Sequence, residues 1–123
     1  MTNLCQKSGF TLLEVLVAIT LLTLGLLGVA NLTVGIIKGN SYSKNVTTAT
    51  IVAQQQIDQA QRVGYTNVNS LVGGTAVSMG GTSFTRDTTV TDSSPATNMK
   101  TVTVSVSWNP GNYSVSLNTT ISQ

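Results

Sequence analysis

A long apolar run near the N-terminus, from Phe10 to Ile37, constrains this chain more than any other feature. As an α-helix, its roughly 28 residues would measure about 42 Å, more than the ~30 Å hydrocarbon core of a bilayer. The run carries a single formal charge, Glu14. A carboxylate within a membrane span costs on the order of 2.5–3.5 kcal/mol, and such residues are usually functional. The nearest cation for Glu14 would be an α-amino group made by cutting the chain between Gly9 and Phe10.

The residues around Glu14 resemble a known processing signal. The segment from Gly9 to Ala18, GFTLLEVLVA, is similar to the cleavage and methylation signature of type IV pilins and of type II secretion pseudopilins. The resemblance implies that a membrane aspartyl peptidase, the prepilin peptidase, cuts after Gly9 and N-methylates Phe10 as the new N-terminus. It also implies that Glu14 directs assembly with other pilin subunits into a homo- or hetero-oligomeric helical filament.

Residues 1–9 are predicted to be a leader peptide. They are not an ordinary secretory signal, because the apolar segment follows the proposed cut and stays with the mature protein. Lys7 favours a cytoplasmic N-terminus for a single-pass membrane protein. The resemblance implies that this membrane is the bacterial inner membrane before assembly. After assembly, the resemblance implies an extracellular pilus or a periplasmic pseudopilus. The chain's one cysteine, Cys5, lies in the leader, so no disulfide is expected in the mature protein, unlike many pilins.

Helical spacing continues after Lys38, although polar residues become frequent. An apolar stripe recurs at intervals of three and four residues, as in a helix with one buried face. The stripe consists of Val46, Ala49, Ala53, Ile57 and Ala60. We therefore expect a helix from about Phe10 to Arg62, with a break at Gly39-Asn40-Ser41 and a stop at Gly64. This divides the mature chain into a transmembrane or filament-core helix at 10–38, an amphipathic half at 39–63, and a loop and β-sheet at 64–123.

The strongest β-signal is a hairpin near the C-terminus. Apolar residues alternate with Thr and Ser on both sides of a turn that contains Pro110 and Gly111. The alternating residues are Val102, Val104, Val106 and Trp108 on one side and Tyr113, Val115, Leu117 and Ile121 on the other. Pairing Trp108 with Tyr113 places all of them on one face, so the register is well specified.

Two further strands are expected before this hairpin. One is short, at Thr75–Met79, and the other runs from about Ser83 to Thr91. A turn at Gly80-Gly81 would place Val77 opposite Phe84. The apolar stripe of the helix is the available cover for the sheet. The sequence thus predicts an α+β, pilin-like fold, in which a long N-terminal helix packs on an antiparallel sheet of three or four strands.

Few residues could support chemistry. The chain has no His and only four acidic residues. It therefore lacks the usual ligands of a zinc site and the histidine base of a Ser-His-Asp or Cys-His catalytic site. Asp87 and Asp92 have opposite strand parity, so a paired-carboxylate site is not expected. We expect no catalytic residue, no cofactor and no metal site, with a lone calcium site near Asp92 left open.

A net charge of +2 with 8% charged residues is not typical of a nucleic-acid-binding site. Trp108 and Tyr113 are interpreted as cross-strand packing, with a binding patch as the alternative.

The favoured function is a minor type IV pilin that initiates or caps a pilus or tunes its adhesion. The segment from Gly25 to Ala30, GLLGVA, is similar to one found in PilV-type minor pilins. The first alternative is a minor pseudopilin of a type II secretion system, since both groups share the processing signature. The second, from another class, is an unprocessed membrane-anchored binding module that presents the hairpin face.

Overall fold

The computed structural model describes residues 9–109 and 111–123. A long helix, α1 (Leu12–Asn67), is followed by a short 3-10 helix, Val68–Leu71. Four strands complete the chain: β1 (Gly73–Met79), β2 (Thr82–Asp92), β3 (Met99–Trp108) and β4 (Tyr113–Ser122). The chain divides into two compact units, one ending at Asn40 and the other comprising Ser41–Gln123, and α1 contributes to both.

The first unit is the apolar part of α1. Its side chains are exposed in all directions, and by length and composition α1 could cross a membrane; no other helix in the described part of the chain passes that test. Hydroxyl groups in this segment bond to the helix itself: Thr20 donates to the Leu16 carbonyl at 2.8 Å, and Thr33 donates to Val29 at 3.0 Å. A helix that is apolar on every side needs a cover of lipid or of other protein.

The second unit is a helix packed on a four-stranded antiparallel sheet of order β1-β2-β3-β4. Trp108 pairs with Tyr113, and Val77 pairs with Phe84, as the alternation and the glycine turn predicted. The α+β, pilin-like arrangement is therefore confirmed. Pro110, on which the predicted turn between β3 and β4 depends, lies outside the described residues, but the Asn112 N–H donates to the Asn109 carbonyl at 3.1 Å across that turn.

The core of the second unit lies between one face of α1 and one face of the sheet. The sheet contributes its larger side chains, whereas α1 contributes mainly alanines. The fully or almost fully buried apolar residues of the sheet are Phe84, Val102, Val104, Val106 and Trp108. Those of α1 are Ala49, Val52, Ala53, Ile57 and Ala60, so the predicted stripe does cover the sheet.

Two features of the backbone differ from the prediction. Residues 39–41, where a break was expected, are helical, because a glycine inside a helix costs only about 1 kcal/mol. The interruption lies instead at Gly64, with φ 74° and ψ 179°, a conformation almost restricted to glycine. Helical residues then continue to Asn67, beyond the predicted stop. The segment expected to be a loop also contains the 3-10 helix, and β1 begins at Gly73 rather than at Thr75.

Candidate functional site

The first turn of α1 is capped by its own sequence. Thr11 precedes the helix, and its hydroxyl accepts a hydrogen bond from the Glu14 N–H at 3.1 Å. Its carbonyl accepts the first helical hydrogen bond, from the Val15 N–H at 3.1 Å. Thr11 and Glu14 thus occupy the first and last positions of a Thr-x-x-Glu capping box, in which the hydroxyl satisfies an N–H that the helix leaves free. Glu14 also places a negative charge at the positive end of the helix dipole.

Phe10 lies beside this cap and remains exposed, with 84% of its surface accessible. An open groove on the helix surface is lined by Phe10, Glu14, Val15, Ala18, Ile19 and Leu22. Phe10 and Val15 hold the positions on either side of the cap that commonly form a hydrophobic contact. The result is a single carboxylate surrounded by apolar side chains, on a surface open to another molecule.

Gly9, the residue before the proposed cut, is exposed and lies outside the helix. A Cβ built on it would meet no atom within 4 Å among the described residues, and its φ does not require glycine. Folding therefore gives no reason for a glycine at this position. The predicted leader, apart from Gly9, lies outside the described residues, as do Cys5 and Lys7.

The charges of Glu14 and Lys38 bound the apolar part of α1. The residues between them carry no formal charge, and at helical rise the two Cα atoms are roughly 36 Å apart. This exceeds the ~30 Å hydrocarbon core, so both charges can reach the headgroup layers at the same time. If α1 spans a bilayer, Glu14 therefore need not be buried among the lipid acyl chains, and the energetic cost expected from its sequence position is not incurred there.

Asp92, which the sequence analysis left open as a calcium ligand, forms an ion pair with the side chain of Lys100. Lys100 Nζ lies 3.2 Å from Asp92 Oδ1 and 3.3 Å from Asn69 Oδ1. The same ammonium lies 4.6 Å from the ring centre of Tyr65. Lys100 is buried, so these contacts replace the water that its charge gives up and attach residues 65–69 to the sheet. Asp87 faces the other side of β2, and the described residues contain no group of three His, Cys, Asp or Glu side chains able to hold a metal.

The hairpin aromatic residues contact each other as the packing interpretation expected, and a third ring joins them. Trp108 and Tyr113 stack with ring centres 5.8 Å apart. Tyr42 of α1 meets Tyr113 edge-on at 5.1 Å. Sequence reasoning missed Tyr42, although an aromatic residue soon after a spanning segment is typical of a membrane interface. It also missed Thr11, which the Thr-x-x-Glu spacing could have revealed.

Comparison with known proteins supports the interpretation of the N-terminal segment. A family model described as "Prokaryotic N-terminal methylation motif" matches residues 5–30. No curated protein and no solved structure shows significant similarity to the chain. The motif and the apolar helix fit a membrane-anchored protein, and the match supports a type IV pilin or pseudopilin, which is a structural subunit rather than an enzyme.

Proposed function

We propose that this protein is a minor type IV pilin, cut after Gly9 by the prepilin peptidase and incorporated into, or initiating, a pilus. The observation that supports this most directly is the capped, exposed first turn of α1, with Glu14 as the only charge on an otherwise apolar surface, inside the matched segment 5–30. Before assembly, the apolar part of α1 is covered by the inner membrane. In the filament, it is covered by the same segment of other pilin subunits.

Gly9 acts in processing. The absence of a side chain there has no structural use among the described residues, which favours recognition by an enzyme that requires a small residue. Hydrolysis of the Gly9–Phe10 peptide bond consumes one water and leaves an ammonium group on Phe10. Methylation of that nitrogen retains its positive charge. Mass spectrometry of the mature N-terminus is expected to find methylated Phe10, whereas an unprocessed membrane anchor would retain Met1 or Thr2.

Glu14 acts in assembly. The new ammonium group lies at the positive end of the α1 dipole, where a cation is unfavourable and the Glu14 carboxylate is favourable. When subunits pack side by side, the ammonium of one subunit can meet the carboxylate of its neighbour in the apolar groove that contains Phe10 and Glu14. Their attraction offsets part of the desolvation cost, and its best-supported consequence is a fixed register between subunits.

Substitutions at two positions separate charge pairing from helix capping. Glu14→Gln keeps a side chain suited to the capping box and removes the charge. We expect Glu14→Gln and Glu14→Ala to be inserted and processed but poorly incorporated into sheared filaments. Thr11→Ala removes the cap at a cost of about 1 kcal/mol and keeps the charge, so its incorporation should stay close to normal. Normal incorporation of Glu14→Gln with loss for Thr11→Ala would show that Glu14 only caps the helix.

The alternative, a minor pseudopilin of a type II secretion system, shares the motif and the mechanism of Glu14. The neighbouring genes distinguish the two, because pilus assembly genes would favour the pilin and secretion genes the pseudopilin. Recovery of the mature chain from sheared surface filaments would support the pilin directly.

A further inference from the structure

Two exposed tyrosines lie at the end of the second unit where α1 enters it. Tyr42 and Tyr113 retain 49% and 44% of their accessible surface, although both contact Trp108, with ring centres 6.3 Å and 5.8 Å away. Trp108 itself is buried, at 4% exposure. The packing of the core therefore uses the tryptophan and leaves one side of each tyrosine ring open.

Both hairpin turns lie at this same end. The turn between β1 and β2 is close to α1, since the Lys44 ammonium approaches the Gly80 carbonyl at 3.5 Å. The turn between β3 and β4 lies between Trp108 and Tyr113, which pair with each other. We call the surface formed by Tyr42, Lys44, Tyr113 and the described residues of these two turns the tyrosine end.

Connectivity keeps the tyrosine end close to the end of the apolar segment. Tyr42 follows Ile37 by five residues, so even an extended chain could separate them by no more than about 18 Å. Each headgroup layer of a bilayer is about 5–8 Å thick. With Ile37 at the edge of the hydrocarbon core, the five connecting residues therefore allow Tyr42 to lie within the headgroup layer.

The charges at this end suit an anionic surface. Lys38 and Lys44 flank Tyr42, and neither hairpin turn contains an acidic residue. The acidic residues beyond Glu14 are Asp58, Asp87 and Asp92, further along α1 and within or at the end of β2. Tyrosine, with an apolar ring and a polar hydroxyl, is one of the two residue types enriched at membrane interfaces.

We propose that, before assembly, the tyrosine end rests in the headgroup layer of the membrane that the apolar segment spans, and that it favours anionic lipids. The inference depends on the membrane anchor of the proposed function and adds a second, interfacial contact made by the β-sheet unit. The tyrosine rings insert among the headgroups, and the two lysines pair with lipid phosphates. Extraction of a subunit into a filament must break this contact.

The chain's one tryptophan reports on this contact directly, because Trp108 touches both tyrosines. We would reconstitute the full chain into nanodiscs at one chain per disc and measure quenching of Trp108 by lipids that carry a quencher at the headgroup or at the acyl-chain terminus. We expect stronger quenching from the headgroup position, and more of it with phosphatidylglycerol than with phosphatidylcholine alone.

Matched variants test the charge and the rings. Lys44→Gln should lower the ratio of docked to undocked protein by about fivefold in anionic discs, the usual effect of one lysine near such a surface. Arg62→Gln, an exposed cation further along α1, should leave it unchanged. Tyr113→Ser should reduce headgroup quenching even without anionic lipid.

Three outcomes would overturn the inference. Equal weak quenching from both lipid positions would place the tyrosine end in water. An equal effect of Lys44→Gln and Arg62→Gln would show that Lys44 makes no local charge contact with the lipid phosphates. Headgroup quenching that appears only with several chains per disc would show that the tyrosine end contacts a second copy of the chain. Resistance of the chain to carbonate extraction is measured on the same samples, so failure to insert would count against the membrane anchor, whereas insertion without quenching would count against docking alone.

Discussion

Two polar side chains lie in the core of the second unit without an evident partner. Gln56 is 4% exposed and Thr88 is 1% exposed. Within the part of the chain that the structure describes, neither Gln56 Oε1 nor Thr88 Oγ1 has a hydrogen-bond partner. Lys100, also buried, differs because its ammonium contacts Asp92 and Asn69. A buried polar atom without a hydrogen bond costs about 1–3 kcal/mol, so these two sites lower the stability of an otherwise apolar core.

Thr88→Val is therefore expected to stabilise the protein. Valine has nearly the same shape as threonine and replaces the unpaired hydroxyl by a methyl group, which should raise the free energy of unfolding by about 1 kcal/mol. Urea unfolding of the full chain in detergent, followed by Trp108 fluorescence, measures this change. Thr85→Val, on the exposed face of the same strand, is the control and should change stability by less than about 0.5 kcal/mol. Destabilisation by Thr88→Val would show that the hydroxyl is hydrogen-bonded after all.

At the scale of the element, the strands were predictable wherever side chains alternate. Trp108 and Tyr113 fixed the β3–β4 register because a shift by one residue would expose every large side chain of the hairpin. The start of β1 was missed because Gly73 and Gly74 are residue types that strands disfavour, and pairing with β2 overrides that preference.

The helix and the candidate site were predicted to a similar extent. The buried face of α1 is wider than predicted. Gln56 was left out of the predicted stripe because it is polar, and Val52 because it lies one residue beside the strict spacing. The motif residues Gly9, Phe10 and Glu14 were recognisable in sequence because they are local to one turn. The meeting of Tyr42 with Tyr113 depends on packing between distant segments, which no local pattern encodes.

Glycines in α1 provide an element-scale test. Gly64 has φ 74° and ψ 179°, so Gly64→Ala introduces backbone strain although a Cβ there meets no atom within 4 Å in the described structure. We expect a loss of about 1–3 kcal/mol in the free energy of unfolding. Gly39→Ala is the matched control, because Gly39 is helical with equally open surroundings and alanine should stabilise a helix by up to ~1 kcal/mol. Trp108 fluorescence and helical circular dichroism during unfolding measure both. Equal effects of the two substitutions would mean that Gly64 is not strained.

At the scale of the whole molecule, the distance between charges connects the proposed membrane-bound state to the proposed assembly. Glu14 and Lys38 are roughly 36 Å apart along α1, slightly more than the hydrocarbon core, so each can reach a different headgroup layer. In a filament, by contrast, Glu14 would be surrounded by the apolar side chains of neighbouring helices. Under the proposed function, the same carboxylate would be inexpensive in the monomer and costly without a partner in the filament, which would favour the correctly paired register.

Shortening the apolar segment tests this linkage. Deletion of Leu21–Leu27 removes close to two helical turns, so the remaining side chains keep their faces while the Glu14–Lys38 distance falls to roughly 26 Å. One charge must then approach or enter the hydrocarbon core, at a cost of up to about 3 kcal/mol, and the fraction of chain resistant to carbonate extraction should fall. Combining the deletion with Glu14→Leu removes the charge and should restore insertion. A shortened chain that inserts as well as the intact one, or that Glu14→Leu fails to rescue, would show that the spacing of these charges does not determine how the subunit is held in the membrane.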